Sequence, residues 1–92
     1  MPKQKKYTFI DLFAGIGGFH QAMHYVGVQC VFASEWNKYA RLSYEANYKN
    51  IAPKIFEDGM RLFNEDIHDA NPNDIPNFDI CCAGFPCQPF SI

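Results

Sequence analysis

A strand-like run, a glycine turn and a helix-like run follow one another between Tyr7 and Gly27, and that order restricts the folds open to this chain more than any other stretch. Tyr7-Thr8-Phe9-Ile10-Asp11-Leu12 is rich in β-branched and aromatic residues and predicts a first strand. Phe13-Ala14-Gly15-Ile16-Gly17-Gly18 predicts a sharp turn out of it, because glycine reaches backbone conformations that other residues avoid. Phe19, Ala22, Met23 and Val26 then recur at i, i+3, i+4 and i+7, one apolar helical face, and Gly27 supplies a left-handed terminator. Val28-Gln29-Cys30-Val31-Phe32-Ala33 predicts a second strand ending at Ser34-Glu35-Trp36. Asn37 is placed to cap a second helix with Ala40, Tyr44, Asn47 and Tyr48 on its inner face. The β-α-β-α order predicts an α/β fold with a parallel sheet and right-handed crossovers.

The stretch from Lys49 to Glu65 leaves alternatives open. Ile51, Ile55 and Phe56 fit a third strand or a loop, and so does Met60-Arg61-Leu62-Phe63, with Asp66-Ile67 at the end of whichever strand forms. Asn71-Pro72 and Ile75-Pro76 bracket a turn or a single helical turn. Phe78-Asp79-Ile80-Cys81-Cys82-Ala83 then predicts a short buried strand, and Gly84 lets the chain leave the sheet edge sharply. Cys87 is thereby expected at the carboxyl end of a strand. Pro86 fixes its own φ and pushes Phe85 toward an extended conformation, and Pro89 restricts Gln88 in the same way. Such stiffness suits a positioned nucleophile, although a proline-rich surface loop carrying a cysteine is the ordinary reading of these residues alone.

Composition narrows the class of function. Ninety-two residues make at most one small domain, and 48% apolar with 16% aromatic residues is ample for a packed core. The chain shows no secretory signal and no apolar stretch of the roughly 20 residues that span a bilayer, so a cytoplasmic protein is expected. Cys30, Cys81 and Cys82 fall within predicted strands and are expected as small buried hydrophobes rather than parts of a disulfide framework. From Glu57 onward seven acids face one base, Arg61, whereas a DNA-binding surface normally clusters Lys and Arg. The cluster Lys3, Lys5 and Lys6 reads as a solvated amino terminus.

The glycine turn and the end of the second strand together indicate a cofactor. Backbone N–H groups at such a turn, with the positive end of the following helix, let a ligand approach closely. The dinucleotide fingerprint would match at Gly15 and Gly17 but needs a small residue where this chain has His20, so NAD is disfavoured. Glu35 could accept hydrogen bonds from both hydroxyls of a ribose, and Trp36 offers a face to a purine. These residues describe a site for an adenosine-containing ligand without a diphosphate. His20 and His24 lie one helical turn apart, but two histidines without a third ligand read as surface or boundary residues, and no metal is expected. Adjacent Cys81 and Cys82 point to opposite faces of a strand, which argues against a zinc cluster with Cys87.

The motifs DLFAGIGGF at 11–19, EW at 35–36, DI at 66–67 and AGFPCQPFSI at 83–92 resemble, in order and spacing, the cytosine carbon-5 DNA methyltransferases. The resemblance implies the amino-terminal half of a Rossmann-like methyltransferase fold, residues 1–92 belonging to a single catalytic domain. It implies S-adenosylmethionine as cofactor, with Phe13, Gly15 and Gly17 lining its pocket, Glu35 holding the ribose, Trp36 packing on the adenine, and Asp66 and Ile67 meeting the adenine edge. The family commonly has glycine where this chain has Glu65. Cys87 matches the family nucleophile, Pro86 and Gln88 its flanking positions, and Ser91 a contact with substrate phosphate. The activity implied is methylation of a flipped cytosine in double-stranded DNA, as in restriction–modification systems. The competing reading is an inactive cofactor-binding fragment, since the ring-protonating glutamate and the recognition region of the family do not occur in these residues. In that case the strand Phe78–Ala83 is expected to present an apolar edge prone to self-association.

Overall fold

The computed structural model describes residues 7–57, 59 and 61–84. Four strands, β1 (Thr8–Leu12), β2 (Gln29–Ser34), β3 (Phe63–Asn64) and β4 (Ile80–Ala83), form one sheet in the order β3-β2-β1-β4, and all neighbours are parallel. Helices α1 (Gly18–Tyr25) and α2 (Lys38–Tyr48) connect β1 to β2 and β2 to β3. Both crossovers step the same way across the sheet, so the right-handed rule puts both helices on one face. The expected α/β, Rossmann-like arrangement is therefore present. Its parallel strands bring every strand's carboxyl end to one rim.

Register explains which residues meet the helices. Phe9 pairs with Cys30, but Ile10 pairs with Phe32, so Val31 is an extra residue in β2. The bulge turns Cys30 and Ala33 to the same face, and both join Phe9 and Cys82 in the helix-side core. Tyr44 and Tyr48 reach that core from α2, and Phe63 stacks on Tyr44 at 5.2 Å between ring centroids. A one-turn 3₁₀ helix, Pro53–Phe56, adds Ile55, and two further single turns, Ile67–Asp69 and Pro72–Asp74, carry the chain from β3 toward β4. Thus the stretch left open by sequence divides into a 3₁₀ turn at Ile55 and a two-residue strand at Phe63.

Several expectations are corrected. The buried residue of α1 is His20, while Phe19, Ala22 and Val26 are exposed and Met23 is only half-buried. His20 is thus no surface histidine: it stacks on Tyr48 at 3.9 Å and meets the edge of Phe9 at 5.3 Å. On α2, Asn47 is exposed, and the inner face is Tyr44 and Tyr48 with half-buried Ala40 and Arg41. β4 is shorter and wetter than expected, because it lies at the sheet's edge with Cys82 alone buried. Cys81 faces the opposite way and is exposed, so of these three cysteines Cys30 and Cys82 behave as buried hydrophobes. Among the described residues no helix is long and apolar enough to cross a membrane, and no cluster of three metal-ligating side chains occurs.

Candidate cofactor cleft and its supports

The turn after β1 is held in a left-handed conformation at three of its residues. Phe13, Gly15 and Gly17 all have positive φ, at 54°, 59° and 101°. For Phe13 that conformation is strained, as often found where a side chain is aimed at a ligand. Ala14 N–H donates to Ser34 O at 2.9 Å, tying the turn to the end of β2. Gly17 is buried under the Tyr48 ring, whose hydroxyl donates to Gly17 O at 2.5 Å, and an added Cβ would run into that ring. Gly15, by contrast, has open space at its Cβ position.

Glu35 is the hinge between this turn and α2. Its Oε1 accepts from Gly15 N–H at 2.8 Å and its Oε2 from Asn37 N–H at 2.9 Å. Each oxygen keeps a further lone pair, so the carboxylate is fixed yet still able to accept from a ligand. Asn37 caps α2 as expected, its Oδ1 accepting from Tyr39 and Ala40 N–H at 3.0 Å. Trp36, between Glu35 and the cap, is 69% exposed.

Two cavities meet at these residues. The larger, about 870 Å³, runs from Trp36 and Tyr39 past Gly15 and Phe19 to Gly84, where the chain leaves β4. The smaller, about 350 Å³, lies over Ser34 and is walled by Glu65, Asp66 and Ile67. Phe13, Glu35 and Trp36 line both. Of the residues singled out by sequence, the structure thus brings Phe13, Gly15, Glu35, Trp36, Asp66 and Ile67 together. Gly17 lines neither cavity; it sits beneath, where α1 approaches α2. Asp66 caps the turn that follows it, Oδ1 accepting from His68 N–H at 3.0 Å, and these bonds to His68 hold its carboxyl below the usual range. Cys87, Pro86, Gln88 and Ser91 lie outside the described residues.

Behind the cleft is a buried polar cluster that sequence reasoning missed. Asp11 is 0% exposed; its Oδ2 accepts from the Tyr44 hydroxyl at 3.0 Å, and that hydroxyl also pairs with His20 Nδ1 at 2.6 Å. Asp11 Oδ1 has no hydrogen-bond partner among the described residues. Burial raises the Asp11 pKa to about 7 against the Tyr44 hydrogen bond, with Glu35 adding to the rise. Burial also lowers His20 to about 4 and pushes the Cys30 thiol up to about 12. A thiol so raised is no nucleophile. The available signal was an aspartate inside the apolar run Phe9–Leu12, which demands a buried partner.

Comparison with known proteins adds an independent finding. Residues 7–92 match the family described as C-5 cytosine-specific DNA methylase. The chain is 50% identical over 88 residues to the type II methyltransferase M.HaeII of Haemophilus aegyptius, a match covering 96% of this chain and 24% of that protein. It is 51% identical over 86 residues to M.BsuFI of Bacillus subtilis, covering 94% and 18%, and 46% identical over 93 residues to M.HhaI of Haemophilus parahaemolyticus, covering 98% and 25%. The chain spans a quarter or less of the length of these relatives.

Proposed function

This chain belongs to the C-5 cytosine-specific DNA methylase family, and from that premise we propose that the protein carrying it transfers a methyl group from S-adenosylmethionine to carbon 5 of cytosine in double-stranded DNA, within a restriction–modification system. One observation carries the reading: two cavities share the wall Phe13-Glu35-Trp36, and the larger ends at Gly84, three residues before Cys87. Three residues reach at most about 10 Å, so a thiol at Cys87 is within range of a ligand in the cleft. The relatives are named as methyltransferases, which favours an enzyme over an inactive binder.

The cleft fits the cofactor by shape and donor set. The smaller cavity would hold the adenine, with Phe13, Trp36 and Ile67 as its apolar lining and Asp66 as a hydrogen-bond acceptor. Because Asp66 Oδ1 is engaged by His68, Oδ2 would be the oxygen that accepts from the exocyclic amine. Glu35 would hold the ribose hydroxyls through its remaining lone pairs, and the larger cavity, lined by Gly15 and Gly84, would take the amino-acid end. When bound, this group supplies an electrophilic methyl.

The protein's own residues supply the rest. Carbon 5 of cytosine is a poor nucleophile until a thiolate adds at carbon 6. Cys87 would make that bond; the carbon 5–carbon 6 π pair would move to carbon 5, which would take the methyl as the methyl–sulfur bond breaks and its electron pair returns to sulfur, leaving a neutral thioether. Loss of the carbon 5 proton to a base then restores the double bond and expels the thiolate. The target must first leave the duplex stack, at a cost of a few kcal/mol. Pro86 and Gln88 flank the thiol, and Ser91 contacts a substrate phosphate.

The test uses the full-length protein. S-adenosylmethionine is expected to bind by calorimetry and NAD not to, with Glu35→Ala weakening binding by about 1 to 3 kcal/mol through loss of a charge-assisted acceptor. On DNA with fluorine at carbon 5, no proton can leave, so the protein is expected to remain covalently attached, and Cys87→Ser to abolish the adduct. Preferential binding of NAD, or an adduct that survives Cys87→Ser, would sink the proposal.

A further inference from the structure

β3 is only two residues long, yet the loop that follows it forms one wall of the smaller cavity. Its pairing with β2 consists of Ala33 with Phe63 and Ser34 with Asn64, a weak hold for a binding wall. The Arg41 side chain supplies what the strand lacks. Its Nη1 donates to Glu35 O and to Asn64 O, both at 2.8 Å, and its Nη2 donates to Phe63 O at 2.9 Å. The guanidinium also lies 4.0 Å over the Phe63 ring. Glu35 N–H reaches the same Asn64 O at 3.0 Å, and Ser34 Oγ donates to Asn64 Oδ1 at 3.0 Å. The three carbonyls that converge on Arg41 thus belong to the two segments, 35–36 and 63–64, from which the cavity walls extend.

We infer that Arg41 is a positioning residue for methyl-donor binding, its planar fork clamping the loop that carries Glu35 and Trp36 to the loop that carries Asp66 and Ile67. The inference rests on the cofactor reading above. A lysine could keep the charge but has neither the fork nor the flat face to stack on Phe63. Arg41 itself lines neither of the two cavities, so its action passes through the backbone carbonyls it holds.

The clamp is tested in the full-length protein with Arg41→Lys and Arg41→Gln, by two readouts. Without any ligand, amide exchange at Glu35 and Asn37 is expected to speed by about tenfold in both variants while Ile10 in the central strand keeps its rate, since each lost charge-assisted bond is worth about that factor locally. With S-adenosylmethionine and DNA, KM for the donor is expected to rise by about tenfold and kcat at saturation to stay within about twofold. Exchange that speeds equally at Ile10 marks Arg41 as a general stabiliser and overturns the inference. Full restoration by lysine overturns the fork. If S-adenosylmethionine fails to bind the unsubstituted protein, the cofactor reading falls, and the ligand-free exchange pattern still decides whether Arg41 clamps the two loops.

Discussion

Asp11 sits two residues before Phe13 with no access to water, and its titration is opposed by that of its neighbour across Tyr44. The Asp11 pKa is raised from 3.8 to about 7, chiefly by burial, so the folded protein favours the protonated carboxyl. Its contribution to stability is full below about pH 4 and is lost as pH climbs through about 7. His20 is lowered from 6.5 to about 4, again chiefly by burial with His24 adding, so the folded protein favours the neutral imidazole. That contribution is full above about pH 6.5 and is lost as pH falls through about 4. Asp11→Asn removes the first dependence and leaves the second. Relative to the parent, the variant is expected to be more stable at pH 8 than at pH 5 by about 3 kcal/mol, from the roughly two pKa units traversed between pH 5 and the folded value. Urea midpoints at the two pH values check it, and an equal difference at both would show that Asp11 does not titrate there.

At the scale of elements, α1 shows where sequence legibility ended. Phe19, Ala22, Met23 and Val26 form one apolar stripe of the kind that amphipathic helices ordinarily bury. Here Phe19 and Ala22 line the cleft instead, and the helix packs through His20. Hydrophobic periodicity reports which residues avoid water, not whether a core or a ligand shields them. The alternation of strands and helices up to α2, the Asn37 cap and the Gly27 terminator were legible because each depends on local chemistry. The polar cluster His20-Tyr44-Asp11 was not, since it joins three elements that periodicity treats separately. Nor could sequence separate Gly15, which faces the cleft, from Gly17, which lets α1 approach α2. That distinction has a measurable outcome: Gly17→Ala is expected to destabilise the fold by about 3 kcal/mol, combining a positive φ with collision against Tyr48. Because the two residues share one contact, combining it with Tyr48→Ala should cost less than the sum of the single changes by urea unfolding. Strict additivity would mean that the ring does not set the helix approach.

For the molecule as a whole, the central strand joins its two neighbours over very different lengths of chain. Thr8 pairs with Gln29 on one side, whereas on the other its N–H donates to Asp79 Oδ2 at 2.9 Å across a separation of 71 residues. Closing the longer loop costs about 1 kcal/mol more in chain entropy than closing the shorter. β4 also brings little burial to offset that cost, since Cys82 alone is covered. The sub-sheet β3-β2-β1 is therefore expected to form first and β4 to dock last, bringing Gly84 and the far end of the cleft with it. Pulse-labelled amide exchange during refolding checks this order: Ala33 should gain protection before Gly84, whose N–H donates to Leu12 O at 3.2 Å. The wall built from Phe13, Glu35 and Trp36 would then exist before the rim at Gly84 does, so that a chain caught midway in folding holds one half of its cleft and lacks the other.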